Sequence, residues 1–173
     1  MASAAAPVPA GGFDRAAVAR LIALLLPLAL LGGAYGSQYF GGLHPCEMCW
    51  WQRYAHFAAL VPAVLAFTAP ASSLRARDLT FLAAIGIAVS GGIGVYHAGV
   101  ERHIFEGITT CTATAKATST QELLNELMHA PIVRCDQVQW SFLGISMAGW
   151  NAIISLSGAA VIMFVTLTAK RER

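Results

Sequence analysis

Polar side chains nearly vanish from four long stretches of the chain: roughly Ala16–Ser37, Trp50–Ala69, Leu79–Ala98 and Phe142–Ala169. Each is about the 20 residues that a helix needs to cross the hydrocarbon of a bilayer, and none holds a charge in its middle. Glycines and prolines inside them (Pro27, Pro62, Gly86, Gly91, Gly92, Gly94) would weaken a helix in water but are common in membrane helices. In the third stretch Gly86, Ser90, Gly94 and Ala98 recur every four residues, a small-residue stripe that lets a neighbouring helix approach closely. The pattern predicts an all-α membrane protein, a four-transmembrane-helix bundle occupying residues 16–169.

The polar remainder divides into tails and connections. Residues 1–15 open with "MASAAAPVPAGG", a low-complexity segment with nothing to bury and expected to be disordered, and residues 170–173 form a short second tail. The connections at 39–49 and 99–141 lie on the side opposite the tails. In the longer one, "TTCTATAKATST" is small, polar and β-branched, so it should be mobile. "STQELLNELMHAP" then reads as a short helix: Ser119 and Glu122 make a capping box, and Leu123, Leu124, Leu127 and Met128 fall on one side. About ten residues make a marginal helix in water, so its apolar face is expected to lie in the lipid interface or on the top of the bundle.

Composition agrees with the pattern. The chain is 57% apolar and 12% charged, against about 45–50% and about 25% in soluble domains. A net charge of +2 gives no reason to expect nucleic acid as a partner. The placement of charge is more informative than its sum. Arg15, Arg20, Arg75, Arg77, Lys170, Arg171 and Arg173 flank one end of the spans. The opposite side has no Lys or Arg in its first loop, and Arg102, Lys116 and Arg134 against five acids in its second. The positive-inside rule therefore predicts cytoplasmic termini and outward cysteine loops. A cleavable signal peptide ending near Gly36 is disfavoured, because the charged region starts late and the apolar run continues past any small-x-small site.

All four cysteines, Cys46, Cys49, Cys111 and Cys135, fall on that outer side. An even number in an oxidising compartment suggests two disulfides, and four cysteines allow three pairings. Nearness in sequence favours Cys46 with Cys49 and Cys111 with Cys135 as the resting pairs. A four-residue ring would add about 2 kcal/mol and a 25-residue ring about 3.5 kcal/mol on the chain-entropy estimate, and a four-helix membrane bundle needs neither. A small ring at a helix start favours exchange. Zinc held by the four thiols, with His44 or His56 substituting, is disfavoured by the mobile setting of Cys111, so no metal is expected. Haem attachment requires C-x-x-C-H, and Trp50 stands at the histidine position.

The segment "HPCEMCWWQRYAH" adds a cation to the first pair. If the second helix starts near Pro45, Cys49 and Arg53 are four apart and share a face. A Cys49 thiolate would then gain from the helix N-terminus and the guanidinium together, with Glu47 working against it. Arg53 is the only cation at the outer end of a span, which points to an anionic or electron-rich partner; snorkelling to the surface is the alternative. His97, at the outer end of the third span, and His56, one turn below Arg53, can each donate a hydrogen bond to a ligand or serve as core histidines. Trp50, Trp51, Trp140 and Trp150 fit an interfacial aromatic belt, and a flat ring can rest beside Trp50 or Trp51.

With these residues in view the chain resembles the disulfide bond formation protein B (DsbB) family, from about Ala16 to Ala169. The likeness rests on four spans, on "PCEMCWWQRY" opening the second and "YHAGVE" closing the third, on the cysteine pair of the long loop, and on "CDQVQWSFLGISMAGWN" leading into the fourth. The resemblance implies a bacterial inner-membrane enzyme with periplasmic cysteine loops. It would reoxidise a periplasmic thioredoxin-fold oxidase (DsbA-like) and pass electrons to the membrane pool of ubiquinone or menaquinone. It further implies that the partner attacks Cys111 and displaces Cys135, that Cys135 attacks Cys46, and that the freed Cys49 engages the quinone beside Arg53, with His97 and Trp50 near the ring. Two rivals stand beside it. A vitamin K epoxide reductase-like enzyme would carry its membrane-side C-x-x-C on the last helix, whereas here the motif opens the second. A structural membrane subunit would carry two inert outer disulfides.

Overall fold

The computed structural model describes residues 14–107, 120 and 133–169. Among them are four α-helices: α1 (Arg15–Tyr39), α2 (Glu47–Leu65), α3 (Leu74–Glu101) and α4 (Met147–Thr168). A 3₁₀ turn, Ala66–Thr68, follows α2, and a small antiparallel hairpin of β1 (Ser141–Phe142) and β2 (Ile145–Ser146) precedes α4. Helices α1, α3 and α4 are each long and apolar enough to cross a membrane. The chain is thus an all-α membrane protein, with the 19-residue α2 as its fourth helix. The short interfacial helix expected near 119–131, Cys111, residues 1–12 and residues 170–173 lie outside the described residues.

Local chemistry sets the helix starts. The side chains of Asp14, Ser73 and Ser146 accept hydrogen bonds from the backbone N–H of Ala16, Ala76 and Gly149, at 3.0, 3.2 and 3.1 Å. Each satisfies one of the donors that a helix start leaves open. Two boundaries differ from expectation. Helix α2 begins at Glu47, not near Pro45, because Cys46 keeps an extended backbone and acts as the N-cap. Phe142 lies outside α4, because Leu143 and Gly144 both take positive φ (53° and 75°) and close the hairpin, the backbone combination that two-residue hairpin turns require. At the other end of α2, Ala69 is extended ahead of Pro70, as the steric demand of proline dictates.

Helix α3 is the central element and packs most extensively on α4 and α2. The small-residue stripe lies in these contacts. A Cβ on Gly86 would stand 2.9 Å from the Ala59 Cβ of α2, and one on Gly94 would stand 3.0 Å from the Ala148 carbonyl oxygen of α4. The core between them is built of Ala23, Ala59, Ala63, Ala83, Ala84, Ile87, Ala159 and Ile162. The start of α1, the α2–α3 connection and the end of α4 meet at one end of the bundle, where Arg20 donates to the Ala69 carbonyl at 3.1 Å. Cys46, Cys49 and Cys135 gather at the other.

Candidate functional site

The N-cap position of Cys46 and the first turn of α2 bring the first two sulfurs together. Cys46 and Cys49 are thiols whose Sγ atoms lie 3.1 Å apart, so a disulfide between them requires closing by about 1 Å. Cys135, 86 residues further along the chain, enters the same buried cluster with Met48 and Val100, against Trp51 and Tyr96. The sulfurs of Cys46 and Cys135 and a ring nitrogen of His97 all lie within 4.8 Å of one another. Three of the four sequence-predicted cysteines therefore converge, and Cys46 lies between the other two. Hydrogen bonding with Cys135, then with Cys49, together with burial, raises the Cys46 thiol far above the ordinary range. Tetrahedral zinc, with Zn–S near 2.3 Å, would hold two thiolates about 3.7 Å apart, so the 3.1 Å Cys46–Cys49 contact suits exchange better than shared ligation.

Below the sulfurs lies a cavity of about 550 Å³, within the range of small-molecule sites. Cys46, Cys49, Arg53, His97, Trp140 and Trp150 form part of its wall, and α1 supplies an apolar side through Leu30, Leu31 and Ala34. Arg53 is only 6% exposed. Its guanidinium reaches across to α1, donating to the Gln38 side-chain oxygen at 2.6 Å and to the Ala34 carbonyl at 3.1 Å. It lies over the rings of Tyr35 and Trp50, at 4.7 and 4.9 Å from their centroids. Among the described residues no carboxylate lies within ion-pair distance of it. A buried cation held by neutral groups beside a cavity is an electrophilic wall for that cavity.

Trp50 lies outside the wall. Its ring stacks on Tyr54 at 5.8 Å and supports Arg53 from behind. The aromatic wall comes instead from Trp140 and Trp150, which Phe142 bridges at ring distances of 6.3 Å each. His97 faces Cys46 through Nε2 at 3.5 Å and Glu101 at 3.8 Å, and its Nδ1 accepts from Gln52 Nε2 at 3.0 Å. Both of its ring nitrogens thus meet protein groups.

Sequence reading passed over Gln52 and Asn151. Gln52 Nε2 also donates to the Met48 carbonyl at 3.1 Å, and Asn151 Nδ2 donates to Gln52 Oε1 at 2.8 Å. Asn151 Oδ1 in turn meets His56 Nε2 at 3.0 Å. The signal was available: an uncharged amide inside a membrane-length apolar run is costly unless a partner satisfies it, and each apolar run around these residues holds one such amide, at Gln52 and Asn151.

The family described as "Disulfide bond formation protein DsbB" matches residues 16–165. A disulfide bond formation protein B of Shewanella sp. (strain MR-4) is 31% identical over 163 residues, covering 88% of this chain and 90% of that relative. The protein of the same name from Methylococcus capsulatus is 31% identical over 164 residues (87% and 94% covered). That from Acinetobacter baylyi is 29% identical over 140 residues (76% and 81%). No solved structure matches.

Proposed function

The chain belongs to the DsbB family of membrane disulfide-forming proteins, and we propose that it is a quinone-dependent thiol:disulfide oxidoreductase of four membrane spans. In this reading the cysteine end faces the bacterial periplasm, and the protein reoxidises a thioredoxin-fold dithiol oxidase there. One observation carries it: Cys46 touches Cys49 and lies in the same buried cluster as the sequence-distant Cys135, on the wall of a cavity that also presents Arg53.

The exchange begins when a partner thiolate attacks Cys111, breaking its bond to Cys135. The Cys135 thiolate attacks Cys46, and Cys49 leaves as thiolate. The second partner thiol then closes the partner's disulfide and releases Cys111. Cys111 recaptures Cys135, leaving Cys46 and Cys49 as a dithiol. The cycle ends when this pair closes again and gives up two electrons and two protons. A quinone bound in the cavity would supply the two-electron, two-proton acceptor. Its fit is supported by the cavity's size, its aromatic and aliphatic walls, and a buried guanidinium with no carboxylate partner among the described residues, suited to a ring oxygen. Helix α2, with its polar first turns, completes the four spans once its outer end is covered by the rest of the bundle.

The test is ring reduction followed by ultraviolet absorbance, with purified protein, a short-chain ubiquinone and a reduced thioredoxin-fold oxidase. Turnover is expected, and a partner whose second cysteine is replaced by serine should accumulate a partner–Cys111 adduct, with Cys135 as the leaving thiolate, that Cys111→Ser cannot form. No turnover with several partners and quinones, and disulfides that resist exchange, would leave an inert structural subunit instead.

A further inference from the structure

The buried polar groups of α2, α3 and α4 form a hydrogen-bonded chain whose direction is set by backbone carbonyls. Gln52 Nε2 faces the Met48 carbonyl and Asn151 Nδ2 faces the Ser90 carbonyl at 3.3 Å. A carbonyl can only accept, so both amide nitrogens are placed and both amide oxygens follow. Asn151 Oδ1 already accepts from the Ser155 hydroxyl at 3.1 Å and can only accept from His56 Nε2. His56 Nε2 therefore carries the proton, and Nδ1 is a bare lone pair. That Nδ1 is buried without a hydrogen-bond partner among the described residues, on a residue 3% exposed that lines the cavity one turn below Arg53.

We infer that His56 is a ring-binding residue that accepts a hydrogen bond at Nδ1, and that it recognises the hydroxyl-bearing, reduced form of the ring. The inference rests on the ring site proposed above. Arg53 has donors only and suits an oxygen in either oxidation state. A carbonyl has no proton to offer Nδ1, whereas a hydroxyl has. The orphaned nitrogen thus discriminates the two states where Arg53 does not. Its role is the reverse of the donor role that a histidine beside a cavity first suggests. The consequence is thermodynamic: each tenfold preference for the reduced ring raises the potential of the bound two-electron couple by about 30 mV and strengthens the pull on the Cys46–Cys49 dithiol.

Two measurements on the full chain test this, in a Cys49→Ala background so that no electrons move. The first is the ¹⁵N spectrum of histidine-labelled protein, with His56 assigned from the His56→Gln variant. An unprotonated Nδ1 whose signal moves with a short-chain ubiquinol and not with the matching ubiquinone is expected; a protonated Nδ1 overturns the inference. The second compares the affinities of the two rings. His56→Leu should weaken the ubiquinol about fivefold to tenfold, the worth of one hydrogen bond, and the ubiquinone less than about twofold. Equal losses, or none, overturn the inference while leaving the ring site in place. Binding of neither ring to the unsubstituted cavity overturns the ring site and this inference with it. Should His56→Leu fail to fold, the spectrum decides alone.

Discussion

The two ends of the bundle share the same four helices but not the same kind of interior. Towards the tails, alanines from all four helices close around Ile87 and Ile162, and a cavity there, lined in part by Ala16, Ala71, Thr80 and Thr166, is far smaller than the one beside the cysteines. Towards the cysteines the same helices hold Arg53, Gln52, His56 and His97 in their interior with the half-buried Asn151, and they separate around about 550 Å³ of space. Small side chains bring backbones close and gain dispersion contacts. Polar side chains need partners and room. One end is therefore built to hold the helices together, and the other gives up packing for chemistry. Substitutions at the two ends should fail in different ways.

The largest effect belongs to the sulfurs. Cys49→Ala should reduce disulfide transfer to background while the helices remain folded. On mild oxidation it should also drive Cys46 and Cys135 into a bond with each other, read by peptide mass after non-reducing digestion. The two sulfurs are already neighbours, and Cys46 has then lost its other partner. A Cys49→Ala protein whose Cys46 and Cys135 stay apart under oxidation would show that their convergence does not govern exchange.

Next comes Arg53. Its charged hydrogen bonds to Gln38 and Ala34 are each worth about 1.5–3 kcal/mol, and one of that size redirected to a ring oxygen corresponds to roughly 10–100-fold in affinity. Arg53→Ala should raise the half-saturating quinone concentration by about that factor, with a smaller change in the limiting rate. An unchanged half-saturating concentration would assign Arg53 to the α1–α2 contact alone.

The difference between the ends also explains what the sequence disclosed. The apolar runs and the stripe at Gly86 and Gly94 were legible, because lipid and close packing each demand a residue type at a fixed spacing. The grouping of Cys46 with Cys49 was legible for the same reason. The meeting of Cys46 with Cys135 came only from the family resemblance, since the two lie 89 positions apart and no local pattern encodes that contact. The direction of Arg53 was not legible. Spacing placed it on the face of Cys49, but its donors turn to α1, where Gln38 and the Ala34 carbonyl offer partners. Trp50 has the right composition for a ring platform, yet its place behind Arg53 takes it off the cavity wall, and Trp140 and Trp150 stand there instead.

The packed end should answer in stability rather than in turnover. Gly86→Ala places a methyl 2.9 Å from the Ala59 Cβ, and overpacking of this kind typically costs about 1–3 kcal/mol. Thermal unfolding should begin a few degrees lower, while the quinone dependence of the remaining folded protein stays within about twofold of wild type. A large change in quinone dependence would mean that the two ends are coupled and that their separation is wrong.

The smallest effect is expected at the outer rim, where Arg134 and Asp136 flank Cys135. Arg134 Nε donates to Asp136 Oδ1 at 2.9 Å, and the pair is solvent-accessible. This hydrogen bond with Arg134 lowers the Asp136 carboxyl below its ordinary range. A carboxylate depressed in the folded state adds order above its unfolded pKa of about 4 and loses it as pH falls through the folded value. Exposure and salt keep the effect small at neutral pH. Amide exchange over 133–140, corrected for intrinsic rates, should therefore be slightly faster in Asp136→Asn than in wild type at pH 7. The two should converge as wild type is acidified below about pH 4. A difference that persists in acid would trace the order around Cys135 to backbone packing and not to this ion pair. The rim would then resemble the packed end more than the reactive one.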